Sequence, residues 1–142
     1  MNTILLDTNV LSELMRPQPA AEVLVWFARQ ADSTFCISTI TQAEILLGIA
    51  LLPAGRRRDA LSRAAEKMLA ENFAGQILPF DENSAREYAD IVATRTRNGH
   101  SISTEDAQIT AIARVQGLSL ATRNVKDFAG IAGVEVMNPW EG

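Results

Sequence analysis

Ile4-Leu5-Leu6-Asp7-Thr8-Asn9-Val10 is an apolar run, too short for a membrane span, that breaks off in an acid, a hydroxyl and an amide. A short run of this kind reads as a buried strand. In open α/β sheets, ligands bind beyond the carboxyl ends of the strands, near a topological switch point. That position makes Asp7 the anchor of a candidate metal site.

Working outward from this strand, Thr8 or Asn9 can cap a short helix through about Met15, which Arg16-Pro17-Gln18-Pro19 stops. A second helix is expected from about Ala20 to Gln30, with Val23, Trp26 and Phe27 on its core face. Phe35-Cys36-Ile37 reads as the second buried strand. Thr41-Gln42-Ala43-Glu44 opens a helix whose apolar face carries Ala43, Leu46, Leu47 and Ala50, and Arg56 to about Asn72 forms another, with Leu61, Ala65, Met68 and Leu69 inward.

Gln76-Ile77-Leu78-Pro79-Phe80 is the third expected strand. Asp81 can cap a helix from about Glu82 to Arg97, which ends before Asn98-Gly99. Ser103-Thr104-Glu105-Asp106 opens a last long helix to about Gln116, followed by a fourth strand, Leu118-Ser119-Leu120-Ala121, and a fifth, Val134-Glu135-Val136. Strands separated by helix-length segments imply right-handed crossovers and a mainly parallel sheet covered on both faces. The expectation is one α/β domain over residues 1–142.

Composition narrows the function. With 47% hydrophobic and 21% charged residues, the chain has the balance of a soluble globular protein. No signal peptide or transmembrane segment is readable, and the single Cys36 forms no internal disulfide, so a cytoplasmic location is the expectation. A net charge of -4 argues against long-range steering of nucleic acid, so a polyanionic substrate must be held by local basic groups or through cations.

Three acids occupy distinctive places: Asp7 closes a strand, while Glu44 and Asp106 fall in the first turns of two expected helices. Each has a structural explanation, because Thr41-x-x-Glu44 and Ser103-x-x-Asp106 resemble capping boxes and Asp7 can cap the next helix. Together they say more. Two carboxylates about 4 Å apart repel by roughly 4 kcal/mol at an effective dielectric of 20. Protons or cations must neutralise such a cluster, and oxygen ligands without His or Cys select Mg²⁺ or Mn²⁺ over zinc.

Four ordered motifs carry a family resemblance: Leu5-Leu6-Asp7-Thr8-Asn9-Val10-Leu11-Ser12-Glu13, Ser38-x-x-Thr41-x-x-Glu44-x-x-x-Gly48, Ser103-Thr104-Glu105-Asp106-Ala107-x-Ile109-x-Ala111-x-Ala113, and Ala121-Thr122-Arg123-Asn124-x-x-Asp127-Phe128. They resemble the PIN-domain nucleases, and more narrowly the VapC-type toxins of type II toxin–antitoxin pairs, including the FitB-like branch with its Asn138-Pro139-Trp140 type of ending.

The resemblance implies a five-stranded, mainly parallel sheet with helices on both faces and an acidic pocket at its carboxyl edge. In that pattern Asp7 and Asp106 correspond to the main metal ligands, with Glu44 as the third catalytic acid. Asn124 stands where the family often carries another Asp, and Asp127 one turn later is a candidate substitute. The implied activity is Mg²⁺-dependent cleavage of RNA, with a VapB-type antitoxin as partner, a homodimer, and operator DNA reached only through the antitoxin.

The residues themselves suggest further roles: Thr8, Asn9, Thr122 and Arg123 are candidate substrate contacts, with turn capping as the alternative for the first three. Arg56-Arg57-Arg58 opens a helix in the hairpin that, by resemblance, meets the antitoxin. His100 has no second His or Cys at ligand spacing and is expected in an exposed loop. Two other function classes stay open at this point: a small-molecule phosphohydrolase with Asp7 as covalent nucleophile, and a binding module that has lost its metal through Asn124.

Overall fold

Ile4, Leu5 and Leu6 are all buried, and in a strand successive side chains point to opposite faces, so this one strand feeds two cores. Strand β1 (Thr3–Leu6) sends Ile4 and Leu6 to one side, where they join Ile37, Val10, Leu11, Trp26, Ile45, Ala65 and Leu69. Leu5 goes to the other side and meets Cys36, Leu120, Ile109, Ile112 and Phe128. The computed structural model describes residues 2–142.

After β1 come helices α1 (Thr8–Leu14) and α2 (Ala21–Arg29), strand β2 (Thr34–Ser38), and helices α3 (Thr39–Ala50) and α4 (Arg56–Glu71). Strand β3 (Ile77–Leu78) leads to α5 (Glu82–Arg97) and α6 (Thr104–Gln116), then β4 (Ser119–Ala121), α7 (Val125–Phe128) and β5 (Val136–Met137). The sheet order is β3-β2-β1-β4-β5, with parallel pairing throughout. The chain winds from β1 outward to β3, then crosses to β4 on the other side of β1, so the switch point lies between β1 and β4. Among the described residues no helix is long and apolar enough to cross a membrane.

Where local chemistry is unambiguous, the observed ends match the expected ones. The Asp81 carboxylate accepts the Ser84 amide at 2.9 Å to start α5, and Gly117 ends α6 in the left-handed region at φ 66°. Three expectations need correction. The Ser38 hydroxyl, not Thr41, caps α3 by accepting the Thr41 amide at 3.0 Å, so Glu44 lies in the second turn rather than the first. The inward face of α3 carries Thr41 and Ile45 and, half-buried, Leu46 and Ile49, whereas Ala43, Leu47 and Ala50 are exposed. Apolar residues surround this helix on every side, so periodicity alone does not fix its rotation. Strand β3 shrinks to two residues, Ile77 and Leu78, in register with Ile37 and Ser38 of β2, and β5 begins at Val136 rather than Val134, with Val136 and Met137 in register with Leu120 and Ala121 of β4.

Glu13, on α1, is a buried acid with a structural task. Its carboxylate accepts the Ala20 amide at 2.8 Å and pairs with Arg16 at 3.3 Å, fastening the Pro17–Pro19 turn to α1. The Ala20 amide first, and the Arg16 guanidinium after it, hold its carboxyl below the ordinary value of 4.5. A carboxyl depressed by folding contributes stability that is present above the unfolded value and lost as pH falls through the folded one. Glu13→Gln should therefore melt below wild type at neutral pH, with the difference closing as both are titrated below pH 4.5. Melting curves that run parallel down to the acid limit would show that this carboxylate contributes nothing.

Candidate metal centre

The carboxyl ends of β1 and β4 meet at the switch point, and one hydrogen bond spans it. The Thr122 hydroxyl, fully buried, donates to Asp7 Oδ2 at 2.7 Å. The Thr8 amide donates to Oδ1 at 2.8 Å, so Asp7 both caps α1 and is aimed by it. Asp7 is only 5% exposed.

Thr122 is in turn fixed from behind. Its oxygen accepts the Asn124 amide at 3.1 Å and the Asn9 side-chain amide at 3.4 Å, while Asn9 Oδ1 accepts the Arg123 amide at 3.3 Å. Thr122 was expected at the substrate; with no exposed surface and its hydroxyl committed, it orients Asp7 instead. Asn9 works as a tie between the β1 and β4 turns. Arg123 remains exposed, its guanidinium 4.8 Å from the Trp140 ring centroid, and Asn138 Nδ2 donates to the Arg123 carbonyl at 3.4 Å. The chain ending thus braces the arginine beside the pocket.

Glu44 is drawn in by a relay. The Thr8 hydroxyl donates to Glu44 Oε1 at 2.7 Å and lies 2.9 Å from the Thr41 hydroxyl. Since the Thr8 proton goes to the carboxylate, Thr41 is the donor between the two hydroxyls. Thr41 sits three residues before Glu44 on α3, the spacing of helical neighbours, and that was the available signal for its role.

Asp106 lies in the first turn of α6, whose cap Ser103 accepts the Asp106 amide at 3.1 Å. Burial first, then the Asp7 carboxylate, then Asp127 and Glu44 push the Asp106 carboxyl above its ordinary value of 3.8, against a hydrogen bond from Ser103. Burial also raises Asp7, opposed by Thr122 and Thr8 and reinforced by Asp127. Asp106 thus feels the charges of Asp7, Asp127 and Glu44, and Asp7 feels that of Asp127. Asn124 is exposed and caps α7 without a side-chain hydrogen bond, and Asp127 is exposed on α7. His100 lies in an exposed loop.

Among the described residues no three His, Cys, Asp or Glu side chains are drawn together as a ready-made metal cage. Repulsion between uncompensated carboxylates favours spreading. Among the described residues no Lys or Arg forms an ion pair with Asp7 or Asp106. The donor set suits a hard cation that keeps most of its waters and needs only one or two carboxylates, as Mg²⁺ does.

Comparison with known proteins agrees with this architecture. The PIN domain family matches residues 4–134. The chain is 46% identical to the plasmid stability protein StbB of Pseudomonas syringae pv. tomato, over 97% of this chain and 99% of that protein. It is 41% identical to the VapC ribonuclease Y4jK of Sinorhizobium fredii (97% and 98%) and 42% identical to the toxin FitB of Neisseria gonorrhoeae (96% and 98%). The crystal structure of FitAcB from Neisseria gonorrhoeae superposes with a TM-score of 0.86 at 41% identity, covering 98% of this chain and 99% of that one. A structure of FitAB bound to an IR36 DNA fragment gives 0.85 at 41% identity, covering 96% and 95%. This chain belongs to the PIN domain family.

Proposed function

We propose that the protein is the toxin of a type II toxin–antitoxin pair, a metal-dependent endoribonuclease of the cytoplasm that cleaves RNA phosphodiester bonds with Mg²⁺ at Asp7 and Asp106. The observation that carries this reading is the buried Asp7 at the β1–β4 switch point, whose charge acts on Asp106 and to which, among the described residues, no basic side chain is paired. The names of the relatives, a VapC ribonuclease and a toxin, favour RNA as substrate and toxicity as outcome.

When bound, the divalent ion supplies polarisation of the phosphodiester and a water of lowered pKa. Thr122 and the Thr8 amide orient Asp7 for its share of the ion, and Ser103 sets the turn that presents Asp106. Glu44, exposed at the pocket mouth and steered by Thr8, is placed to take a proton from the attacking water. Arg123, held against Trp140, offers a phosphate contact on a surface whose net charge is -4. Asp7 makes a poor covalent nucleophile, because both of its oxygens accept hydrogen bonds and little of it is exposed. That weighs against the phosphohydrolase reading.

A partner is supported by apolar residues left in water on the α3–α4 hairpin: Leu47 is 59% exposed and Leu51 is 75% exposed, next to Arg56 and Arg57. An antitoxin segment seated there takes these side chains out of water. DNA contact would then come through the antitoxin, with the toxin as a homodimer.

The test is cleavage of RNA by the antitoxin-free protein with Mg²⁺ and with EDTA, together with melting in both. Cleavage should require the ion. At a hundred times its dissociation constant, Mg²⁺ should stabilise the fold by about 2.7 kcal/mol. No cleavage and an unchanged melting temperature in saturating Mg²⁺ would overturn the reading and leave a binding module.

A further inference from the structure

Arg95, in the last turn of α5, is an arginine without a carboxylate. Among the described residues no acid pairs with it; it spends its donors on three backbone carbonyls instead. Nη1 donates to Ala129 at 2.8 Å, and Nη2 donates to Asp127 and to Ser101, both at 3.2 Å. Its Nε is buried with no partner, a cost that the protein accepts to keep the guanidinium where it is.

The three carbonyls belong to the two segments that deliver acids to the candidate metal centre. Ser101 precedes Ser103, the cap that sets the first turn of α6 and Asp106 in it. Asp127 and Ala129 belong to α7 and its exit. Helix α7 is four residues long and cannot hold itself in place; its own closing bonds are Asp127 N to Asn124 O at 2.9 Å and Ala129 N to Lys126 O at 3.5 Å. A planar fork reaching both segments at once fixes their separation, which a flexible ammonium with a single point charge does less well.

We propose that Arg95 is a positioning residue of the acidic pocket, setting the spacing of Asp106 and Asp127 through the carbonyls of Ser101, Asp127 and Ala129. The inference rests on the metal-dependent reading above and adds a residue to it that lies outside the four sequence motifs. Arg114 supplies the control. It joins the far end of α6, two turns beyond Asp106, to Glu87 of α5 at 2.7 Å and reaches the carbonyl of Ala132 at 3.3 Å, so it braces the same side of the molecule while bonding neither the Ser101–Ser103 approach to α6 nor α7.

The experiment titrates Mn²⁺ alone into wild type, Arg95→Gln, Arg95→Lys and Arg114→Gln by calorimetry, with melting temperatures measured in parallel. Arg95→Gln should weaken the ion about 10-fold or more, the scale of lost ligand-orienting contacts. Arg95→Lys should fall between it and wild type, and keeps the test open should the glutamine variant not fold. Arg114→Gln should bind within about two-fold of wild type, even where it melts as low as the Arg95 variants. Ion affinity that is unchanged in the Arg95 variants, or that tracks melting temperature alike in the Arg95 and Arg114 variants, overturns the positioning role while leaving the metal centre intact. A wild type that binds no Mn²⁺ removes the metal centre, and this inference with it.

Discussion

Asp106→Asn and Asp7→Asn should each lower RNA cleavage by at least about 100-fold, since losing a direct ligand costs no less than losing the contacts that orient one. Their stabilities should part company with their activities. Asp106 carries a charge that burial and three neighbouring acids oppose, so the neutral amide relieves repulsion and should leave the metal-free melting temperature unchanged or raised. At Asp7 the relief is partly offset. Its two oxygens each accept a hydrogen bond, and an amide offers one oxygen, so either the Thr8 amide or the Thr122 hydroxyl loses its partner. Cleavage by either variant at the wild-type rate would sink the assignment.

The same charges fix how pH acts. Both carboxyls sit above the ordinary value of 3.8 in the folded protein, so over the window from that value up to the raised ones the folded state holds protons the unfolded chain has released. Stability of the metal-free protein therefore falls as pH rises through this window, the opposite of the Glu13 contribution. In chelator, the melting advantage of Asp106→Asn over wild type should be absent at strongly acid pH, grow through the window and hold level at neutrality. An advantage independent of pH would place its origin elsewhere than in this charge.

How much of this was legible in the sequence depends on whether the deciding interaction is local. Helix α5 runs from Glu82 to Arg97, as its Asp81 cap and Asn98-Gly99 exit dictate, because both signals act within four residues. The start of α3 was misplaced because two hydroxyl residues three apart, Ser38 and Thr41, both offer caps. Strand context chose Ser38, the last residue of β2. Asp7 could be picked out from the way an apolar run ends, and Asp106 from the Ser103 cap. That Thr122 would face Asp7 across 115 residues was not readable, since a Thr at a strand end looks the same whether it turns to solvent or to a buried acid. Arg95 was invisible for the same reason, its partners being carbonyls, which every residue carries.

Phe128→Ala should cost about 3–5 kcal/mol, the usual loss for an aromatic truncated in a core. Phe128 is 1% exposed and is the buried residue of α7; it inserts between α6 and the sheet beside Leu5, Cys36, Ile109, Ile112 and Leu120. For a chain of 142 residues that loss lowers the melting temperature by roughly 10 °C. Phe128→Leu, which refills much of the space, should recover more than half of it. The consequence reaches the pocket, because α7 has two moorings, this ring in the core and the Arg95 fork at its exit, and Asp127 lies next to both. With the ring gone, cleavage should fall at temperatures where Phe128→Ala is still folded. A melting temperature within about 3 °C of wild type, less than a 1 kcal/mol loss produces, would show that α7 rides on the sheet without being anchored by it.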